Sequence, residues 1–455
     1  MSSEKSMIND LTTGNVAQQL LRFSYPFMLA NLLQVVYNIV DMIVIGQFVG
    51  STGLSAVSCG GDLVSLFLYV AMGFASASQI LIAQFVGSGD REGVKRAIGT
   101  SFSFCGLLAI GMTILALIGT DWMLGLLNTP QEAYAGARVY AITCFAGFLF
   151  TFGYNTVAAV LRGMGDSKHP LLFVFIAAVS NLVLDVLFVA VFHWDAFGTA
   201  LATVMGQAIS VIISLVYLFR RRDRFGFDFK LKSFAIDPVS IKAMVRLGVP
   251  LAVQHAAIMI SMLFVNSYVN TYGVVVSAVT GVGNKLRNIM SITTNAISAA
   301  GASMVAQNLG AGKMDRVRQV VKVALVVGLT VAVVLSLIFL LAPRLIFSIF
   351  TSDAAVLEWA PRYMVVLVVY FFCFALMAPF NAVINGVGNA TLSFIIGIMD
   401  GVVARVGVAL LIGVVMGYGI YGFWYGSAVA GFVTAAIGFG YYASGKWQTH
   451  RLLIH

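Results

Sequence analysis

Four of the 18 acidic residues in this chain, Asp41, Asp62, Asp185 and Asp400, lie deep inside long apolar stretches. The bases in comparable positions are Lys285, Arg287 and Arg405. An ionisable side chain held in hydrocarbon is costly, so such groups mark ion or substrate paths. Counting inward from the stretch ends puts Asp41, Asp185 and Thr203 at one level, roughly 10 Å deep at about 1.5 Å per helical residue. Helical spacing extends that level into a polar track. Asn181 stands four residues before Asp185, Gln207 four after Thr203, and Tyr37 and Asn38 four and three before Asp41, with Gln34 continuing the stripe. Asn155 is a further candidate for the wall of such a cavity. Two carboxylates with amide and hydroxyl neighbours in a low dielectric can serve a proton or Na+. Desolvation favours the protonated acid, and oxygen ligands replace water around a hard cation. The same Asp and Asn side chains can instead act as hydrogen-bond glue between helices.

The remaining intramembrane groups are read more simply. Asp62 and Lys285 stand at nearly equivalent repeat positions and at the level of Asp41, where they can face each other across a central cavity as a gate or salt-bridge within one half. Asp400 and Arg405 are five residues apart, about 500° around an α-helix. That spacing puts them off one face and predicts separate neighbours and a packing role. His255 reads as a satisfied buried histidine or a relay. Cys59, Cys105, Cys144 and Cys373 all fall in apolar stretches and read as small buried residues with no disulfide or metal role. No nucleophile and base stand at catalytic spacing, and no metal-ligand cluster is evident, so no enzyme, cofactor or bound metal is expected.

These residues need elements to hold them. With 60% hydrophobic residues, 10% charged residues and a mean hydropathy of +0.95, the chain lacks the polar surface of a soluble domain. Apolar stretches of twenty or more residues recur from Leu20 to Tyr442, long enough to cross a hydrocarbon layer about 30 Å thick. Alternating barrel strands are excluded. The expected fold is an all-α integral membrane protein with twelve transmembrane helices, at 20–48, 54–85, 93–119, 133–161, 169–192, 196–220, 240–272, 276–308, 315–341, 357–385, 391–416 and 420–443. Twelve spans put both termini on one side. The same side then carries 21 of the 27 Lys and Arg residues, Lys5 among them, and the positive-inside rule makes it cytoplasmic. The net charge of +9 is therefore topological and lipid-facing, and no nucleic-acid partner is expected. The polar start of the chain shows no small-residue cleavage pattern, so the first apolar stretch is expected to remain as a helix.

A repeat runs through both halves. Ala83-Gln84-Phe85-Val86-Gly87-Ser88-Gly89 matches Ala306-Gln307-Asn308-Leu309-Gly310-Ala311-Gly312, and Leu161-Arg162-Gly163-Met164-Gly165-Asp166 matches Ile384-Asn385-Gly386-Val387-Gly388-Asn389 at the same offset. Even-numbered halves share an orientation, which places a substrate path between them. The expected organisation is an N-terminal six-helix lobe over 1–220, a basic cytoplasmic linker over 221–239 and a C-terminal six-helix lobe with its tail over 240–455. Pro26, Pro250 and Pro379 each remove a backbone hydrogen bond and permit bends, and Pro26 is the expected hinge linking Asp41 to cavity shape. Nineteen Met and 34 Phe residues suit an adaptable cavity with loose selectivity.

Pro26, Asn38-Ile39-Val40-Asp41, the Gly87 and Gly89 pair, Leu161 to Asp166 and Asn181-Leu182-Val183-Leu184-Asp185 together resemble the multidrug and toxic compound extrusion (MATE) family over nearly the whole chain. The resemblance implies a V-shaped pair of pseudo-symmetric bundles, and a cation site at Asp41, Asn181, Asp185 and Thr203. Some family members carry an acidic cluster in the C-terminal half. Here Gln254 and His255 stand on the seventh helix, and the tenth has only Glu358 at its rim, which resembles the DinF-like branch and implies H+ more than Na+. The expected function is secondary efflux of amphipathic or cationic compounds in exchange for H+ or Na+, by a monomer in the cell's inner membrane among its lipids. The alternative is a flippase for a lipid or lipid-linked precursor, which would need a basic cavity; Lys285 and Arg287 are the cations on hand.

Overall fold

The computed structural model describes residues 7–127 and 129–454. Lys5 lies outside the described residues. Twelve spans form: α1 (Val16–Phe48), α2 (Ser51–Ser88), α3 (Arg91–Leu126), α4 (Gln131–Ala146 and Phe148–Gly163), α5 (Lys168–Asp185, continued by π-helical Val186–Val191), α6 (Asp195–Arg220), α7 (Pro238–Asn270), α8 (Val274–Gly310), α9 (Met314–Leu341), α10 (Ala354–Val387), α11 (Ala390–Ile398, then π-helical Met399–Val408 and Leu411–Val415) and α12 (Ile420–Ala443). Eleven are single helices long and apolar enough to span a membrane; α4 makes the twelfth as a pair bent by 52°. Among the described residues there is no strand. All twelve expected helices are present.

One helix break falls at a position that carries no proline. α1, α7 and α10 run as single helices through Pro26, Pro250 and Pro379, whereas α4 breaks at Gly147, which lacks a proline. Val204 of α6 packs so closely that a Cβ at Gly147 would sit 2.4 Å from its methyl carbon, and the Thr113 hydroxyl of α3 donates to the Phe145 carbonyl at 3.1 Å. A close neighbour and a side-chain donor replace the helix's own geometry there.

The repeated glycines mark turns. Gly50 and Gly273, Gly89 and Gly312, and Gly165 and Gly388 are matched pairs, and all six have φ between 70° and 99°. That left-handed backbone carries no steric cost only for glycine. After two of these turns a side chain caps the next helix: Asp90 accepts from the Gly93 amide at 2.8 Å and Asn389 from the Leu392 amide at 3.1 Å.

The described chain forms two compact units. The first comprises residues up to Asp10, then Tyr25–Ala252; the second comprises Leu11–Ser24 and Val253–Leu453. In the first, Ile45, Leu63, Ala137, Phe145, Phe148 and Val189 lie in one apolar core. The second has a core around Met290, Phe347, Leu367, Phe371 and Phe423, and another in which Val16, Leu20 and Phe23 pack with Met304, Val320 and Trp447. The basic segment between α6 and α7 is no loose tether. Phe225 and Phe227 are buried; Phe227, Phe229 and Phe234 pack edge-on or tilted against one another, and Phe227 and Phe234 meet Phe102 of α3. Asp237 caps α7, accepting from the Ser240 amide at 2.8 Å, and its own amide donates to Thr100 at 2.9 Å.

Candidate functional site

Inside the first unit the carboxyl groups of Asp41 on α1 and Asp185 at the end of α5 lie within mutual hydrogen-bonding reach. Asp41 is 6% exposed, Asn181 3% and Asp185 0%. Asp185 is the last residue before α5 widens into its π-helical turns. Asn181, one turn earlier, donates from Nδ2 to the Thr203 hydroxyl at 3.4 Å, and that hydroxyl donates to the Thr199 carbonyl at 3.1 Å. Among the described residues, five buried oxygens here have no hydrogen-bond partner: Asp41 Oδ1, Asn181 Oδ1, both Asp185 oxygens and Thr199 Oγ1. Four are carboxyl or amide oxygens, which accept, and the fifth is a hydroxyl, which can donate or accept; buried polar atoms left without partners are expensive. The arrangement is chemically suited to a proton or a small hard cation.

A cavity of about 150 Å³ in the same unit is lined by Gln34, Tyr37, Asn38, Asn155, Asn181, Thr203 and Gln207, together with Leu68 and Met72. The structure therefore brings together, around one chamber and the carboxylate pair beside it, nearly every polar residue that helical spacing put on the track. Two polar lining residues were missed, Thr151 and Tyr154. Thr151 donates to the Gln207 amide oxygen, and its carbonyl accepts from Asn155 at 2.9 Å. Its place four residues before Asn155 was the available signal. Thr199, one turn before Thr203, was missed likewise.

Other predicted residues stand elsewhere. Pro26 lies within α1 near the start of the first unit's share of that helix. Asp62 is exposed on α2, and within its own unit it makes no ion pair among the described residues. Lys285 is exposed on α8 with its ammonium 5.7 Å from the Phe350 ring centre, likewise without an ion pair in its own unit. Among the described residues, neither forms a salt bridge within its own half. His255 is half-buried on α7 and lines neither cavity described here.

The expectation for Asp400 and Arg405 is overturned. Arg405 Nη2 donates to Asp400 Oδ1 at 2.7 Å, and both residues are buried. The reason is that Met399–Val408 is π-helical: its i to i+5 hydrogen bonds bring residues five apart onto one face, where an α-helix would separate them.

Two similar halves of six long apolar helices, one of them holding a buried carboxylate pair beside a polar cavity, define a polytopic membrane transporter. The MatE family model matches residues 26–187 and again 250–411. The chain belongs to the MATE family of multidrug efflux transporters. It is similar to the probable multidrug resistance protein YpnP of Bacillus subtilis (strain 168), 33% identical over 312 residues and 68% of each chain. YoeA of the same organism, also described as a probable multidrug resistance protein, is 28% identical over 446 residues, 97% of this chain and 96% of that one. The probable multidrug resistance protein NorM of Thermotoga maritima is 22% identical over 453 residues, 96% and 94% of the two chains. Among solved structures, a MATE protein in a straight conformation aligns with TM-score 0.90 at 22% identity over 98% of this chain and 99% of its own. An outward-facing multidrug resistance MATE transporter aligns with TM-score 0.89 at 22% identity over 99% and 100%. At these identities the structural likeness speaks for the fold.

Proposed function

We propose that this protein exports amphipathic, cationic organic compounds in exchange for H+, by alternating access, as a monomer with both termini cytoplasmic. The observation that carries this is the Asp41–Asp185 pair, buried, mutually in reach and short of donors. Two carboxyl groups so placed share one proton between them. A second proton, or the positive charge of a substrate in the adjoining cavity, offsets the remaining carboxylate. Substrate and proton then compete for the same charge, which is the requirement for exchange. Bending or rotation of α1, which carries Gln34, Tyr37, Asn38 and Asp41, would transmit the proton's arrival to the cavity wall. The oxygen-only ligand set also suits Na+; the nearness of the two carboxyl groups, with no ion pair to either among the described residues, favours H+. The names of the relatives support drug-like substrates, and the distribution of Lys and Arg supports the orientation.

Purified protein in proteoliposomes, with pH and Na+ gradients imposed separately, tests the proposal. Dye flux driven by the pH gradient alone is expected. Flux driven only by Na+ would replace the coupling ion, and movement of a lipid-linked sugar without dye flux would replace the substrate class.

A further inference from the structure

The second unit has a polar cavity of its own, of about 50 Å³, and its chemistry is opposite to that of the first. Its wall includes Asn284 and Arg287 of α8, Tyr370 of α10, Arg405 of α11, and Trp424 and Ser427 of α12. Asp400 stands behind it and is fully engaged, one oxygen by Arg405 at 2.7 Å and the other by the Thr434 hydroxyl at 2.9 Å. Arg405 is not: it is 5% exposed, and its Nε–H has no acceptor among the described residues. Ser427, 6% exposed, likewise has no partner for its hydroxyl. Arg287 stands with its guanidinium 5.3 Å from the Tyr370 ring centre. The helices lining this cavity carry one other carboxylate, Glu358 at the start of α10, so two arginines face a single committed aspartate. A guanidinium N–H without an acceptor, beside a free hydroxyl and a second arginine in low dielectric, calls for an anion with flat, bidentate acceptor geometry.

We propose that this cavity binds a carboxylate group, held by Arg405 Nε, the Ser427 hydroxyl and Arg287, with Tyr370 and Trp424 flanking it. The space suits the head of the ligand, and aromatic walls suit an attached apolar body. The transporter would then accept zwitterionic or anionic amphiphiles as well as cations. Nothing in this inference depends on which cation drives transport.

The test is equilibrium binding to the full-length protein in detergent, read by quenching of tryptophan fluorescence, with Trp424→Phe locating the signal. The probes are sodium benzoate, sodium acetate and benzyl alcohol, a neutral aromatic analogue that lacks the carboxylate. Saturable binding of benzoate is expected, with benzyl alcohol weaker by roughly tenfold or more, since buried donors would be left unpaired. Acetate binding as tightly as benzoate would assign a small free acid as the source of the carboxylate; benzoate binding better would assign an amphiphile. Arg287→Gln and Ser427→Ala both leave the Asp400–Arg405 pair in place, and each is expected to weaken benzoate roughly tenfold. Equal binding of the alcohol, unchanged affinity in both folded variants, or chloride binding without benzoate binding would overturn the proposal.

Discussion

Arg405 and Asp400 form a buried ion pair 2.7 Å long across five residues of one helix, a contact that exists because the helix is π-wound there. Asp185, on the corresponding helix of the first unit, stands at the edge of a π-helical segment too. In both halves the fifth helix of six places its ionisable group where the backbone departs from α geometry, which re-aims side chains that a regular turn would send apart.

Removing one carboxyl group of the first pair separates stability from transport. Asp41→Asn replaces the exchangeable proton of the pair by a fixed amide donor towards Asp185. The variant is expected to keep its thermal stability to within about 1 kcal/mol, since one hydrogen bond takes the place of another. Dye export driven by a pH gradient should be lost. Full export across several pH values would reject the coupling role.

Asp400→Asn leaves Arg405 buried without its counter-charge and is expected to destabilise the protein by about 3–5 kcal/mol. Replacing both residues with leucine should recover most of that loss, because a buried ion pair is worth little against apolar packing of similar volume. Thermal unfolding in one detergent compares the three proteins; a double variant as unstable as the single one would contradict the pair's being the cause.

Gly99 of α3 faces the segment between α6 and α7 so closely that a Cβ there would sit 1.8 Å from the Ser233 carbonyl oxygen. Gly99→Ala should displace Leu231–Phe234 from α3 at a cost of about 1–3 kcal/mol. Limited trypsin digestion is then expected to cut at Lys230 or Lys232 in the variant faster than in the parent, and equal cutting would show that the segment shifts without detaching.

Arg316 of α9 donates to the carbonyls of Gly14 at 2.8 Å, Thr13 at 3.2 Å and Leu11 at 3.4 Å, and to the side chains of Gln19 at 3.1 Å and Asn308 at 3.0 Å. Lys313 donates to the Thr12 carbonyl at 2.9 Å. Arg316→Ala should speed amide hydrogen exchange over Leu11–Gln19 while leaving Asn181 to Asp185 of the first unit unchanged, because opening of a segment follows the loss of its own contacts. Uniform protection in both regions would mean the remaining bonds suffice.

Hydropathy, charge and repetition, read from the chain alone, were enough for twelve spans in two similar halves and for the polar track from Gln34 through Asp41, Asn181, Asp185, Thr203 and Gln207. Each of these signals is local or strictly periodic, and lipid solvent enforces it span by span. Thr151, Tyr154 and Thr199 escaped because Thr and Tyr are common in apolar helices and carry no charge to mark them. Tertiary structure alone decided the rest. A break at Gly147 depends on Val204, from another helix; the docking of the basic segment depends on phenylalanines meeting Phe102; and the Arg405–Asp400 pair depends on a π-helical winding that residue spacing on a regular helix argues against. All three arise from contacts between distant parts of the chain or from the backbone's local yielding to them, and no α-helical period records such events.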